Sequence, residues 1–283
     1  MKVRVISGIA VALIMMALVW VGGIVTALSM CGISIIAFEE MARAVGVHTK
    51  EKGCNILEVI CIIFIVAYYA LVYFVGNPMY NMMSIMFLLI ALMVVYVFAF
   101  PKYNTKHVIG AFFSFVYVPV MLSFALMART MSNELDTATR NIGFFAVWMI
   151  FIVAWATDTC AYFAGVTLGK HKLTPVLSPK KSVEGAIGGV LGSTLAGYLY
   201  GLILVHNEII TNDLIYVFVL LGFFGSMVAQ IGDLAASAIK RNNDIKDYGK
   251  IIPGHGGILD RFDSVIFTSP IIYFLSYFFF GGV

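Results

Sequence analysis

Most of the chain's potential chemistry lies between Asp233 and Ser264. Asp233, Ser237, Lys240 and Arg241 are spaced at i, i+4, i+7 and i+8. On one helix they share a face, so an acid, a hydroxyl and two cations form one wall of a polar cavity. The alternative is an amphipathic helix end with solvated charges. Further on, Pro253, Gly254, Gly256 and Gly257 surround His255 in a turn whose backbone can approach an anion closely. Asp260 and Asp263 follow, three residues apart, at the start of the last apolar run. At that spacing two carboxylates can share a helix face, and they repel each other unless a cation lies between them. Mg2+ fits, because it is hard, prefers oxygen and is commonly held by a few carboxylates plus substrate phosphates. Asp233 can supply a third carboxylate. The order Gly-x-x-x-x-Gly-Lys-Ser/Thr does not occur here, which excludes a nucleotide P-loop.

Two more features are out of place in their surroundings. Asp158 lies deep in the apolar stretch FIVAWATDTCAYFAGVTLG, where a carboxylate is costly and marks a functional site by default. Tyr162, Gly165 and Gly169 follow at helical spacings on roughly the same face, and the small residues allow a neighbouring helix to come close. A buried aspartate that only hydrogen-bonds the next helix is the plainer alternative. The following loop reads GKHKLTPVLSPKKSVEG. Its SPKK suggests a helix start with Ser178 as cap and Pro179 in the first turn. Lys180 and Lys181 beside such a start suit a phosphate, although lysines snorkelling to headgroups look the same in sequence.

The elements that must position these residues are membrane helices. Of the 283 residues, 61% are hydrophobic and only 12% charged, and the mean hydropathy is +0.97. A soluble domain is nearer a quarter charged. Apolar runs fall at roughly 4–20, 23–41, 55–76, 79–100, 108–128, 142–168, 186–205, 214–232 and 264–280, each about long enough to cross the hydrocarbon layer as a helix. The first two are divided only at Gly22 and Gly23. The expected fold is therefore all-α: a polytopic integral membrane protein of eight or nine transmembrane helices. Residues 1–283 form one transmembrane domain, with N-terminal helices to 140 and the chemically equipped helices and loops from 141 to 283. With nine spans and an inner N-terminus, sixteen of the 18 basic residues lie on the cytoplasmic side. Only Arg129 and Arg140 lie outside, a positive-inside pattern. That places residues 233–263 at the cytoplasmic face. Cysteines 31, 54, 61 and 160 form no CxxC pair, so neither disulfides nor zinc are expected. No segment suits nucleic acid.

The run SAIKRNNDIKDYGKIIPGHGGILDRFD closely resembles the signature of the phosphatidate cytidylyltransferases, or CDP-diacylglycerol synthases. Ser237, Lys240, Arg241, Lys246, Asp247, Pro253, His255, Gly256, Gly257, Asp260, Arg261 and Asp263 carry the resemblance. Asp158, Ala161, Tyr162, Gly165, Gly169, SPKK, Glu184 and Gly185 resemble the family's central block, Asp233 the acid just upstream of the signature, and Arg4, Ser7 and Gly8 the family's first span. The resemblance implies cytidylyl transfer from CTP to phosphatidate with release of pyrophosphate. It also implies Mg2+ in a paired-metal centre, polar cavities in the membrane region, a homodimer and a multi-pass place in the plasma membrane. Under it, Asp233 and Asp260 are the leading metal ligands. Asp263 is a third ligand or supports the others, and Asp158 is a ligand or holds a lysine. Lys240, Arg241, Lys180, Lys181 and Arg261 neutralise phosphates, joined by Ser237 and Lys246. His255 donates to a phosphate or to the leaving pyrophosphate, and Gly256 and Gly257 lie against the nucleotide. Asp247 pins Lys246 or the loop.

Overall fold

A computed structural model describes residues 13–47, 55–131, 142–252 and 256–281. They form an all-α polytopic membrane protein, in which eight helices are long and apolar enough to cross a bilayer. The helices are α1 (Gly23–Ala44), α2 (Ile56–Ala70), α3 (Pro78–Phe98), α4 (Thr105–Phe115), α5 (Met121–Thr130), α6 (Ile142–Leu168), α7 (Val183–His206), α8 (Ile215–Asn242) and α9 (Leu259–Ser276). Helical residues 13–21 precede α1. Gly22 and Gly23 both have positive φ, and that left-handed backbone separates the first two apolar runs. The only strands among the described residues are β1 (Lys172–Thr174) and β2 (Ser178–Ser182), an antiparallel hairpin.

By their contacts the described residues form two compact units, one within 1–127 and 242–261, the other within 128–241 and 262–283. In the first, α1 packs on α2 and α4, and α2 and α3 also pack on α4. Local capping starts its helices. The Asn55 side chain accepts from Leu57 N–H at 3.0 Å, Asn77 caps α3 with Pro78 at the first position, and Asn104 forms a capping box with His107. Pro119 lies in a π-helical turn, Val116–Val120, between α4 and α5. Proline supplies no N–H, and the widened turn frees carbonyl acceptors. The Tyr69 hydroxyl takes up the Pro119 carbonyl at 3.3 Å and lies 2.6 Å from Ser34 Oγ. This cross-links three helical segments where no water competes.

The second unit is built on small residues. On α7, Gly185, Gly189, Ser193, Gly197 and Gly201 recur every fourth position and are buried. A β-carbon on Gly189 would stand 3.1 Å from both the Thr157 carbonyl and the Ala161 methyl on α6. One on Gly222 of α8 would stand 2.6 Å from the Ser193 carbonyl. Backbones approach this closely only where side chains are minimal. Hydroxyls then bridge the helices: Thr157 to Ser226 at 2.8 Å, and Ser193 to the Gly222 carbonyl at 3.1 Å.

The hairpin corrects one expectation. Ser178 and Pro179 do not start a helix; they lie in β2, where Ser178 pairs with Thr174. The cap of α7 is Ser182, whose Oγ accepts from Gly185 N–H at 3.1 Å. The physical reason is that KLT offers SPKK a strand partner. A two-stranded ribbon has an open edge, which tolerates the missing N–H of Pro179. Ser182 is then the hydroxyl three residues ahead of a free helix amide.

Candidate functional site

A cavity of about 510 Å³ lies wholly within the second unit. α6 contributes Asp158, Ala161, Tyr162, Gly165 and Val166; the hairpin contributes Lys172, Leu173, Lys180, Lys181 and Ser182; α7 contributes Gly185 and Ala186; and α8 contributes Gln230 and Asp233. The wall is mixed: two carboxylates and three lysines share it with alanine, valine, leucine and tyrosine side chains. Lys181 Nζ forms an ion pair with Asp233 Oδ2, with both side chains a little over a quarter exposed. Gln230 Nε2 donates to the Ala186 carbonyl at 3.2 Å, which fixes its amide in the wall.

The lysine-bearing hairpin is fastened at its base. Glu184 accepts from the N–H groups of Lys170 and His171 at 3.1 and 3.2 Å, and its Oε1 lies 2.6 Å from His171 Nδ1. Val183 N–H donates to the His171 carbonyl at 2.9 Å.

Asp263, on the second turn of α9, is half-buried and its Oδ1 accepts from Ser264 N–H at 2.8 Å. The charges of Asp233, Asp158 and Lys240 all act on it. α8 runs unbroken to Asn242, so Ser237, Lys240 and Arg241 follow Asp233 on the expected face, although none of them lines the cavity.

The first unit holds the glycine loop. Asp260 is 7% exposed, and its Oδ2 accepts from Tyr248 N–H at 2.8 Å and Gly257 N–H at 3.0 Å. Gly256 has φ +86, a conformation that favours glycine, and its carbonyl accepts from Ile252 N–H at 3.0 Å. Lys246, Asp247 and Arg261 are exposed. Pro253, Gly254 and His255 lie outside the described residues, as do Arg4, Ser7, Gly8 and Cys54. Asp260 and Asp263 both lie on α9, three residues apart, as the sequence suggests.

Among the described residues no three His, Cys, Asp or Glu side chains gather closely enough to form a complete metal cage. Asp233, Asp263 and Asp158 are oxygen donors of the hard type Mg2+ prefers, and a cation held by so few of them would need phosphate oxygens and water to complete its shell.

A cytidylyltransferase family model matches residues 2–279. The chain belongs to that family. It is 44% identical over 140 residues to the phosphatidate cytidylyltransferase of Bacillus subtilis, covering 48% of this chain and 50% of the relative. Against the Staphylococcus saprophyticus protein of the same name it is 38% identical over 171 residues, covering 54% and 64%. Against that of Staphylococcus haemolyticus it is 45% identical over 135 residues, covering 48% and 50%. The chain thus spans between 50% and 64% of the length of these relatives.

Of the residues singled out in the sequence, Asp158, Lys180, Lys181 and Asp233 meet in the cavity, and Asp263 is coupled to it. The sequence reading passes over Lys172 and Gln230, both in the wall. It also passes over Glu40, which is 1% exposed near the end of α1. Glu40 had a usable signal, since an acid inside an apolar run implies a polar partner. Lys172 had none beyond its charge.

Proposed function

We propose that this chain transfers the cytidylyl group of CTP to phosphatidate, giving CDP-diacylglycerol and pyrophosphate. The observation that carries this reading is the cavity whose wall combines three lysines and two acids with apolar side chains, in a cytidylyltransferase-family chain made of membrane-spanning helices. Such a space suits a lipid phosphate whose tails stay in hydrocarbon and a nucleotide arriving from water.

The reaction needs little proton chemistry. A phosphatidate oxygen, already anionic, forms a bond to the α-phosphorus of CTP as the bond to the pyrophosphate oxygen breaks. The barrier lies in bringing two anions together and in stabilising the charge on the leaving group, which calls for positioning and electrostatics. Lys180, Lys181 and Lys172 provide positive charge at the cavity. Lys181 and Asp233 neutralise each other at rest, and a polyphosphate draws Lys181 away and leaves Asp233 with an open oxygen. Lys240, Arg241, Ser237, Lys246 and Arg261 are assigned to the phosphates, His255 to the leaving group, and Gly256 and Gly257 to the nucleotide. Asp233, Asp263 and Asp158 would hold Mg2+, and the family resemblance assigns Asp260 to a metal as well. When bound, Mg2+ would supply charge neutralisation on the phosphates and on the leaving pyrophosphate.

The positive-inside pattern supports a plasma-membrane protein whose site faces the cytoplasm, where CTP is made. The family resemblance supports a homodimer, which cross-linking in native membranes would check. The direct test uses purified protein in phosphatidate vesicles with Mg2+ and CTP labelled at its α-phosphate. Labelled CDP-diacylglycerol and equimolar pyrophosphate are expected. A wild-type protein that labels no lipid overturns the reading.

A further inference from the structure

Glu40 is a carboxylate inside a membrane-spanning helix, and it is almost wholly buried at 1% exposure. Such a group is retained only where the fold gives it donors. Here it accepts from Ile258 N–H at 3.2 Å and from Leu259 N–H at 2.8 Å. These amides begin α9, at the positive end of the helix, where no intrahelical acceptor exists. Both Glu40 oxygens occupy the space a β-carbon on Gly257 would need, and Oε1 does the same at Gly249. Asp260 takes the next pair of amides, Tyr248 and Gly257. Residues 248–249 and 257–259 are therefore gathered around two carboxylates that divide four backbone amides between them.

We propose that Glu40 is a positioning residue for cytidylyl transfer: it sets the backbone at Gly249 and at residues 257–259 and, through it, the orientation of Gly256, Gly257, Asp260 and Arg261. The inference rests on the transfer reaction proposed above. A carboxylate is the side chain the geometry requires, because both of its oxygens accept. Glutamine would turn an amide donor towards a backbone donor. The two glycines are the matching half of the device, since any side chain at 249 or 257 displaces Glu40.

The test combines Glu40→Gln, Glu40→Ala, Gly257→Ala and the Glu40→Ala/Gly257→Ala double variant in the labelled-CTP assay. Folding is followed by thermal unfolding and gel filtration in detergent. Lost positioning lowers kcat about 10- to 100-fold in folded Glu40→Gln, with the KM for CTP within about threefold. Gly257→Ala costs a similar factor in the wild-type background but less than about threefold where Glu40 is already alanine, because the colliding group is gone. Should Glu40→Ala not fold, Glu40→Asp, which withdraws the carboxylate by one methylene, serves as the second background. Equal cost of Gly257→Ala in both backgrounds, or full kcat in folded Glu40→Gln, overturns the proposal. A silent wild type defeats the transfer reading and the positioning role together. An active wild type with additive variants defeats the positioning role alone.

Discussion

Lys181 and Asp233 are ion-paired, one from the hairpin and the other from α8, and both line the same cavity. Breaking the pair from either side should have different kinetic consequences. If Lys181 partners a phosphate as proposed, Lys181→Ala should raise the KM for CTP. Asp233→Asn keeps the shape and should lower kcat by about 10² to 10³, the usual cost of one preorganised electrostatic group. The double variant should cost less than the product of the two single effects, as in residues that act as a unit. Steady-state assays of the three proteins check this.

Mg2+ dependence should expose the same acids. Chelation should abolish lipid labelling and added Mg2+ should restore it. Asp263→Asn and Asp158→Asn should each move the half-saturating Mg2+ concentration upward, since each removes a carboxylate oxygen from the group around Asp233. A magnesium titration that is unchanged in both variants would remove these two residues from the metal site.

The corrected cap gives a stability prediction. Ser182→Ala should lower the thermal midpoint by an amount equivalent to about 1 kcal/mol, the typical worth of a helix cap. Ser182→Thr should be close to neutral, because it keeps the accepting oxygen. Ser178→Ala should be silent, since Ser178 lies in a strand and caps nothing. Thermal unfolding in one detergent compares all three.

Packing between α6 and α7 should be intolerant of size. Gly189→Leu places a side chain against the Thr157 carbonyl and the Ala161 methyl. It should destabilise by about 1–3 kcal/mol, the usual range for overpacking, or prevent folding. Ile187→Ala, on the exposed face of the same helix, should leave the midpoint nearly unchanged. Expression and melting curves separate the two.

The helices, and the acids and cations they carry, were readable from the chain because they depend on local rules. Hydropathy over a span's length marks a helix, and a period of 3.6 residues puts Asp233, Ser237, Lys240 and Arg241 on one face before any coordinates are seen. The hairpin was not readable. SPKK carries every mark of a helix start, and only pairing with residues 172–174 makes it a strand. The grip of Glu40 on Ile258 was hidden for a related reason, as its partners lie 218 residues apart. No window along the chain contains both. The Lys181–Asp233 pair was half visible, with each residue recognised but their union left to tertiary packing.

The glycine face of α7 has a consequence for how the cavity can breathe. Where backbone meets backbone there are no rotamers to relax, and hydroxyl bridges tie α6, α7 and α8 together at Thr157, Ser193 and Ser226. Those three walls therefore behave as a single casting. The hairpin is different. It is tethered at one end through Glu184 and Val183 to residues 170 and 171, while its far end carries Val176 at 96% exposure. The remaining side of the chamber is this hairpin, and it carries Lys172, Lys180 and Lys181. All the positive charge in the lining therefore comes from the one wall that takes no part in those hydroxyl bridges.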